Sequence, residues 1–264
     1  MSDGDSAKVA YDRYAPIYDE WNAENDYEMW LGEVLLPELE KYGLECPGWA
    51  LDVGCGTAPA LEPLLARGWK VVGCDVSSRM LAEAERKVGS RVRLLNLDAR
   101  SLPSIGAEPD GPEGEAFQLI LLLNDVVNYL VEDGDLEKVF AGVRRNLSPR
   151  GLAMFDANTL LLFQADFASD VYEEMGGKDW VWRGLTEEVR PGAIYEAHLS
   201  AQGVESHVHR QRHWLPGQVT EALEASGLRA LAVLGQREEE GKVLLSDSLD
   251  EQRDAKVIYV AARA

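Results

Sequence analysis

Three carboxylates at a fixed interval are the first chemistry legible in this chain. Asp52, Asp75 and Asp98 stand 23 positions apart, each after a short apolar run. The first leads into Gly54-Cys55-Gly56-Thr57, ahead of a helical stretch. Glycines at such a junction let the backbone turn sharply and let a ligand approach it closely. A dinucleotide-binding loop would want a third glycine at position 59, where this chain has Pro59, and would seat a pyrophosphate on the helix N-terminus. Asp52, two positions before the first glycine, repels a pyrophosphate. It suits a ligand bearing an ammonium and a sulfonium, the chemistry of S-adenosylmethionine, better than NAD. Asp75 is placed to accept both ribose hydroxyls; its bland alternative is a helix N-cap, a role Ser77 could fill equally well. Asp98 is placed to accept from an adenine amino group while Ala99 offers its N–H. Three carboxylates at the ends of three consecutive strands would line one crevice, where open α/β sheets bind ligands.

The elements that must hold them follow from the apolar pattern. Short apolar runs at 50–53, 70–74, 91–95, 117–123 and 151–155 alternate with helical stretches at 60–67, 77–88 and 135–146. That alternation predicts an α/β fold: a doubly wound, mostly parallel sheet. Ahead of it, Ser6 to Trp21 reads as a helix placing Tyr11, Tyr14 and Tyr18 on one face, broken or kinked at Pro16. Tyr27 to Tyr42 reads as a second amphipathic helix with Leu31, Val34, Leu35 and Leu39 as its stripe. Gly43 to Gly48 is a turn, and Ser104 to Glu115, rich in Gly, Pro and acids, is an exposed loop. After Asn158 the character changes. Leu160 to Val171 reads as helix, and strands at 180–186, 193–200 and 206–214, with turns at Arg190-Pro-Gly192 and Gln202-Gly203, predict an antiparallel insertion. A helix from Pro216 to Ser226 and strands at 230–234 and 257–261, around an acidic loop from Glu238 to Asp254, complete the chain.

Leu51-Asp-Val-Gly-Cys-Gly-Thr57, Gly73-Cys-Asp-Val-Ser-Ser-Arg-Met-Leu81, Asn96-Leu-Asp-Ala99 and Leu147-Ser-Pro-Arg-Gly151 resemble the successive motifs of class I S-adenosylmethionine-dependent methyltransferases. Members of that family usually carry glycine where this chain has Ala58. The resemblance implies a seven-stranded sheet with an antiparallel β insertion after strand 5 and an N-terminal helical lid. One domain would then span residues 1–264: lid 1–48, cofactor-binding core 49–158, acceptor-side insertion 159–214, and completion of the sheet 215–264. It also implies that Gly54, Cys55 and Gly56 pass beneath the methionine part of the cofactor, with Asp52 beside them, Asp75 on the ribose and Asp98 and Ala99 at the adenine. Val76 and Met80 would flank the adenine ring, and Asn124 would line the site near the sulfonium. In the small-molecule branch, which includes amino-sugar N-methyltransferases and glycine N-methyltransferase, a stretch like Ala15-Pro-Ile-Tyr18-Asp19 folds over the cofactor. Tyr18 and Tyr27 are accordingly expected at the cofactor, Tyr18 also at the reacting centre. Tyr11 and Tyr14 are read equally as lid or as residues packed on the sheet.

On the acceptor side, His207, His209, Gln211 and His213 would share one strand face. Same-face neighbours are roughly 6.8 Å apart, which opposes convergence on one ion, so no metal is expected. The face reads either as a polar wall of the acceptor pocket, with His209 or His213 as general base, or as an exposed sheet face. Trp180, Trp182 and Trp214 would line that pocket or form the core of the insertion. Cys55 and Cys74 lie in apolar strand-like segments and read as buried free thiols; the three cysteines, with Cys46, suit a reducing compartment.

A net charge of −20 opposes nucleic acid and favours a cationic or amine-bearing small molecule. No run reaches the roughly 18 apolar residues of a membrane span, and the N-terminus lacks a hydrophobic signal region, so a cytoplasmic protein is expected. The insertion is the expected surface should the chain form a homo-oligomer. The reading is methyl transfer to an amine, or a hydroxyl, of a small metabolite, in natural-product (antibiotic) biosynthesis by analogy with the branch. A protein or RNA methyltransferase, a nicotinamide oxidoreductase and a non-enzymatic binding protein are the alternatives.

Overall fold

The computed structural model describes residues 4–44, 47–105, 116–175, 178–202 and 204–264. Cys46, Gly203, most of the 104–115 loop and the first three residues lie outside the described set. The chain opens with helices α1 (Gly4–Tyr14) and α2 (Tyr18–Trp21), separated at Pro16 as its missing N–H requires. The second helical stretch is α3 (Tyr27–Met29), a π-helical turn (Trp30–Leu35) and α4 (Leu36–Glu40). Pro37 cannot donate to the carbonyl four residues back and its ring would crowd it; the wider turn just upstream accommodates this. Leu31, Leu35 and Leu39 are wholly buried, as the stripe requires.

The core then alternates: β1 (Trp49–Val53), α5 (Leu61–Ala66), β2 (Lys70–Asp75), α6 (Ser78–Val88), β3 (Arg93–Asn96), β4 (Phe117–Leu122), α7 (Asp135–Asn146) and β5 (Leu147–Asn158). After α8 (Leu160–Asp166) come β6 (Asp170–Met175), β7 (Lys178–Gly184), β8 (Ile194–Ala201) and β9 (Val204–Arg212). The chain closes with α9 (Pro216–Ala225), β10 (Leu228–Glu239), β11 (Lys242–Ser246) and β12 (Lys256–Arg263). The main sheet runs β11-β10-β12-β5-β4-β1-β2-β3. Strands β1 to β5 pair parallel, and β12 lies antiparallel to both β5 and β10. Apolar side chains alternate between two cores. Leu51, Ile120 and Phe155 face α7 and α9, whereas Ala50, Leu121 and Met154 face the helical turns of residues 30–40, α5 and α6.

Two expectations are corrected. The main sheet has eight strands, because part of the presumed acidic loop is β11, paired antiparallel with β10. Glu240 and Gly241 both have positive φ (53° and 73°), the conformation of a two-residue hairpin turn whose twist matches its flanking strands. The insertion has four strands rather than three, ordered β6-β7-β8-β9, because the 160–171 stretch leaves the helix at Asp166 and becomes an edge strand. A third apolar cluster joins this insertion to the N-terminal helices, with Tyr14, Ile17 and Tyr18 against Trp180 and Leu199. Among the described residues no helix is long and apolar enough to cross a membrane.

Candidate active site

The sheet order reverses between β1 and β4, and the crevice there is bounded by the ends of β1, β2 and β4. Gly54 and Cys55 donate their N–H groups to the Cys74 carbonyl (2.7 and 3.0 Å), folding the loop back over β2. Gly54 has φ +78°, and a Cβ there would meet Val126 at 2.6 Å. Gly56, at φ +53°, donates its N–H to Asp75 Oδ2 (2.9 Å). Ala58 takes φ +72° without being glycine, a conformation that costs an L-residue about 1–2 kcal/mol. Asp75 Oδ1 accepts the Ser77 N–H (2.8 Å), while the Ser77 hydroxyl caps α6 by accepting from Met80 N (3.1 Å). Ser77 is therefore the cap, and the Asp75 carboxylate is built into the glycine loop.

Burial pushes Asp75 up to about 6 and Asp52 up to about 7, the latter also opposed by Asp75. Two carboxylates this far from water favour a cationic ligand, which would return them to their ionised form. Asp98 lies two residues beyond the end of β3 rather than on it. Its carboxylate accepts from the Arg100 N–H (2.9 Å) and guanidinium (2.5 Å); burial raises its pKa, but Arg100 outweighs this and holds it below the usual range. Asn96 fixes the neighbouring turn by donating to the Asp75 and Val76 carbonyls (both 2.9 Å).

All twelve residues expected at the cofactor line this one cavity. Gly54, Cys55 and Gly56 with Asp52 and Asp75 form its floor; Val76, Met80, Asp98 and Ala99 one wall; Asn124 another; Tyr18 and Tyr27 the roof. The Cys55 thiol is buried and pushed well up by that burial, so it stays neutral. The roof is fastened at two points. Asp12 accepts from the Ser77 hydroxyl (2.7 Å), and Asp19 accepts from the Thr57 hydroxyl and pairs with Lys87 (both 2.6 Å).

A second construction follows β4. Asn124 and Asp125 both take left-handed backbone angles (φ 63° and 60°), and Asp156 on β5 receives both N–H groups (2.5 and 3.0 Å). Lys256 on β12 neutralises the wholly buried Asp156 (2.6 Å). The turn presents Asn124 Nδ2 to the Tyr18 hydroxyl (3.2 Å). Asp125 accepts from Gln211 (2.6 Å) and Asn158 (3.1 Å) through Oδ2 alone, and burial pushes it up to about 6. Sequence reasoning missed Asp125; the available signal was an Asn-Asp pair ending a strand, where left-handed turns gather.

Asp125, Asp166, Trp21, Trp182, Phe167 and His209 line a second cavity of about 300 Å³, which shares Tyr11, Tyr18, Asn124 and Tyr129 with the first. The two cavities therefore meet at Tyr18 and Asn124. His207, His209, Gln211 and His213 do share a face, and it is buried rather than exposed. His209 bonds the Tyr129 hydroxyl through Nδ1 (2.7 Å), and burial holds its pKa well below the ordinary value. His213 is corrected as a base candidate. It lines neither cavity; Nδ1 accepts the Gly192 N–H (3.1 Å) and Nε2 bonds Glu251 (2.8 Å), tying the insertion to the C-terminal loop. Trp180 and Trp214 are core residues, and only Trp182 of the three lines the cavity. Tyr18 is pushed far above its ordinary pKa by burial and stays a neutral phenol.

Residues 50–151 match a family model described as a methyltransferase domain. The chain is 26% identical to a Bacillus subtilis protein named as a methyltransferase, YqeM, over 84% of this chain and 87% of that one. Over about half of each chain (54% and 53%) it is 30% identical to a dTDP-4-amino-2,3,4,6-tetradeoxy-D-glucose N,N-dimethyltransferase of Saccharopolyspora spinosa. Its fold resembles an S-adenosylmethionine-dependent methyltransferase of Clostridium acetobutylicum, with a TM-score of 0.75 at 22% identity, covering 96% of this chain and 99% of the other. A glycine loop open to the cavity, with two buried carboxylates short of positive charge, fits that cofactor. Residues 50–151 thus match a methyltransferase domain, set in a fold shared with S-adenosylmethionine-dependent methyltransferases.

Proposed function

We propose that the chain methylates the nitrogen of a small-molecule amine. The observation that carries this reading is Asp125. Its Oδ2 is held by Gln211 and Asn158, while its Oδ1 accepts from no described residue, in a cavity that joins the cofactor cavity one residue away at Asn124. When bound, S-adenosylmethionine supplies an electrophilic methyl group on a sulfonium. Asp125 gathers the amine as its ammonium, and the nitrogen needs only to lose a proton to attack, which makes alignment the main catalytic task. Tyr11, Tyr18 and Tyr129 exclude water at the junction, and their π faces favour cations. His209, kept neutral by burial and fixed on Tyr129, is the one histidine of its strand face that lines this cavity, and Asp125, in contact with the ammonium, takes the proton. The amine-acting relative from Saccharopolyspora agrees with this chemistry and suggests a place in natural-product biosynthesis.

The test is to supply methyl-labelled S-adenosylmethionine with matched amine and alcohol panels and to locate the methyl by mass spectrometry. Methylated amines are expected, with alcohols unlabelled. A methyl found only on oxygen overturns the reading.

A further inference from the structure

Two carboxylates face the acceptor cavity without a cation in contact, and they sit at different places in it. Asp125 adjoins Asn124 and Tyr129, which also line the cofactor cavity. Asp166, at the end of α8, sits with Leu162, Phe167 and Val171, none of which does. Among the described lining residues the one permanent cation is Lys256, and its ammonium is on the wholly buried Asp156 at 2.6 Å. His209 brings no charge, and its Nε2 is buried without a hydrogen-bond partner. With Lys256 balanced by Asp156, two negative charges are left facing the cavity. Burial is the main reason that Asp125 and Asp166 are each held at about 6, although the field of Lys256 reaches both and acts the other way. A cationic ligand would relieve that burial cost and draw both back toward the ordinary carboxylate range. Trp21, Trp182 and Phe167 add aromatic faces between them, a surrounding that favours cations.

We propose that the acceptor carries two basic nitrogens: one at Asp125, beside the cofactor cavity, which receives the methyl group, and a second held as an ammonium by Asp166. The proposal rests on the amine reading above and extends it to a diamine. It also separates this chain from its Saccharopolyspora relative, whose named substrate carries a diphosphate. An anion of that kind would meet two carboxylates here and no uncommitted cation among the described lining residues.

The experiment is calorimetry on the full chain loaded with S-adenosylhomocysteine, using trans-1,4-diaminocyclohexane and cyclohexylamine as probes of matched shape. At pH 7.5 the diamine is expected to bind at least tenfold more tightly. Asp166→Asn should reduce that advantage to under twofold, and Asp166→Glu should restore most of it. Should the Asn variant fail to fold, Asp166→Ser is the second variant and should show the same loss. Equal affinities at pH 7.5, an advantage that survives Asp166→Asn, or no binding of the diamine at millimolar concentration would each overturn the second subsite. The amine reading is judged separately, by which atom carries the methyl, so equal binding of the two probes leaves N-methylation standing.

Discussion

The two cavities share four residues and are otherwise built in opposite ways. The cavity read as the cofactor's is anchored by backbone: strand ends, two glycines at positive φ, and N–H groups directed at Asp75. Its glycine loop and carboxylates lie within short windows of sequence around 52–60, 75–80 and 97–100, and only its roof and the wall at Asn124 come from farther along the chain. The acceptor cavity is made of side chains from α1, α2, the turn after β4, α8, β9 and β12, brought together from across the chain. A site made of backbone loops tolerates little variation, because each N–H needs its acceptor. A site made of side chains from separate elements can change ligand one residue at a time. The contrast predicts that substitutions on one side should leave binding on the other nearly untouched.

The sharpest attempt to break that separation is Asp75→Ala, which strips two buried N–H groups of their acceptor. It is expected to cost about 3 kcal/mol, hence about a hundredfold in S-adenosylhomocysteine affinity by calorimetry, with amine binding changed less than twofold. Unchanged cofactor affinity would remove Asp75 from the site. The mirror experiment is Asp125→Asn. Loss of a charge-assisted contact should raise KM for the amine about thirtyfold while cofactor affinity holds; an equal loss on both sides would mean the cavities act as one.

His213→Ala sharpens the boundary of the acceptor cavity. Because both ring nitrogens are bonded within the fold, it should lower unfolding free energy by about 1.5 kcal/mol in urea and leave kcat intact. A large fall in kcat with normal stability would return His213 to the catalytic residues.

Titration addresses both cavities together. Asp52, Asp75 and Asp125 have folded pKa values of about 7, 6 and 6, above the unfolded carboxylate value. A carboxyl raised in this way stabilises the fold fully below its unfolded pKa, and that contribution is lost as pH rises through the folded value. The ligand-free protein should therefore melt at a lower temperature at pH 8 than at pH 5. Cofactor affinity should rise about tenfold over the same interval, as Asp52 ionises against the cationic ligand. A melting temperature that rises with pH would contradict this assignment. The smallest effect belongs to the roof. Asp19→Asn removes a half-exposed ion pair with Lys87 and should speed cofactor release about threefold in stopped flow, without altering amine KM.

What the sequence determined by itself was the glycine-loop cavity. The two glycines, Asp75 and Ser77 are tied to one another or to adjacent strand ends by bonds that span at most 21 residues, and Asp52 precedes the glycines at the end of β1, so alternation and spacing were enough to place them. The Pro16 break and the 31–35–39 stripe were legible for the same reason: period and proline act locally. Tertiary structure decided the rest. Strand β6 exists because β7 offers it an edge, and β11 because the turn at Glu240-Gly241 folds the chain back along the end of β10. The same strand face carries His209 and His213, yet only packing sent one into the cavity and the other to Glu251. Asp125 owes its position to Asp156 and Lys256, the latter 131 residues further on, and its raised pKa to burial. Burial and long-range pairing leave no period in a sequence, and they are what turned an Asn-Asp turn into the floor of the acceptor site.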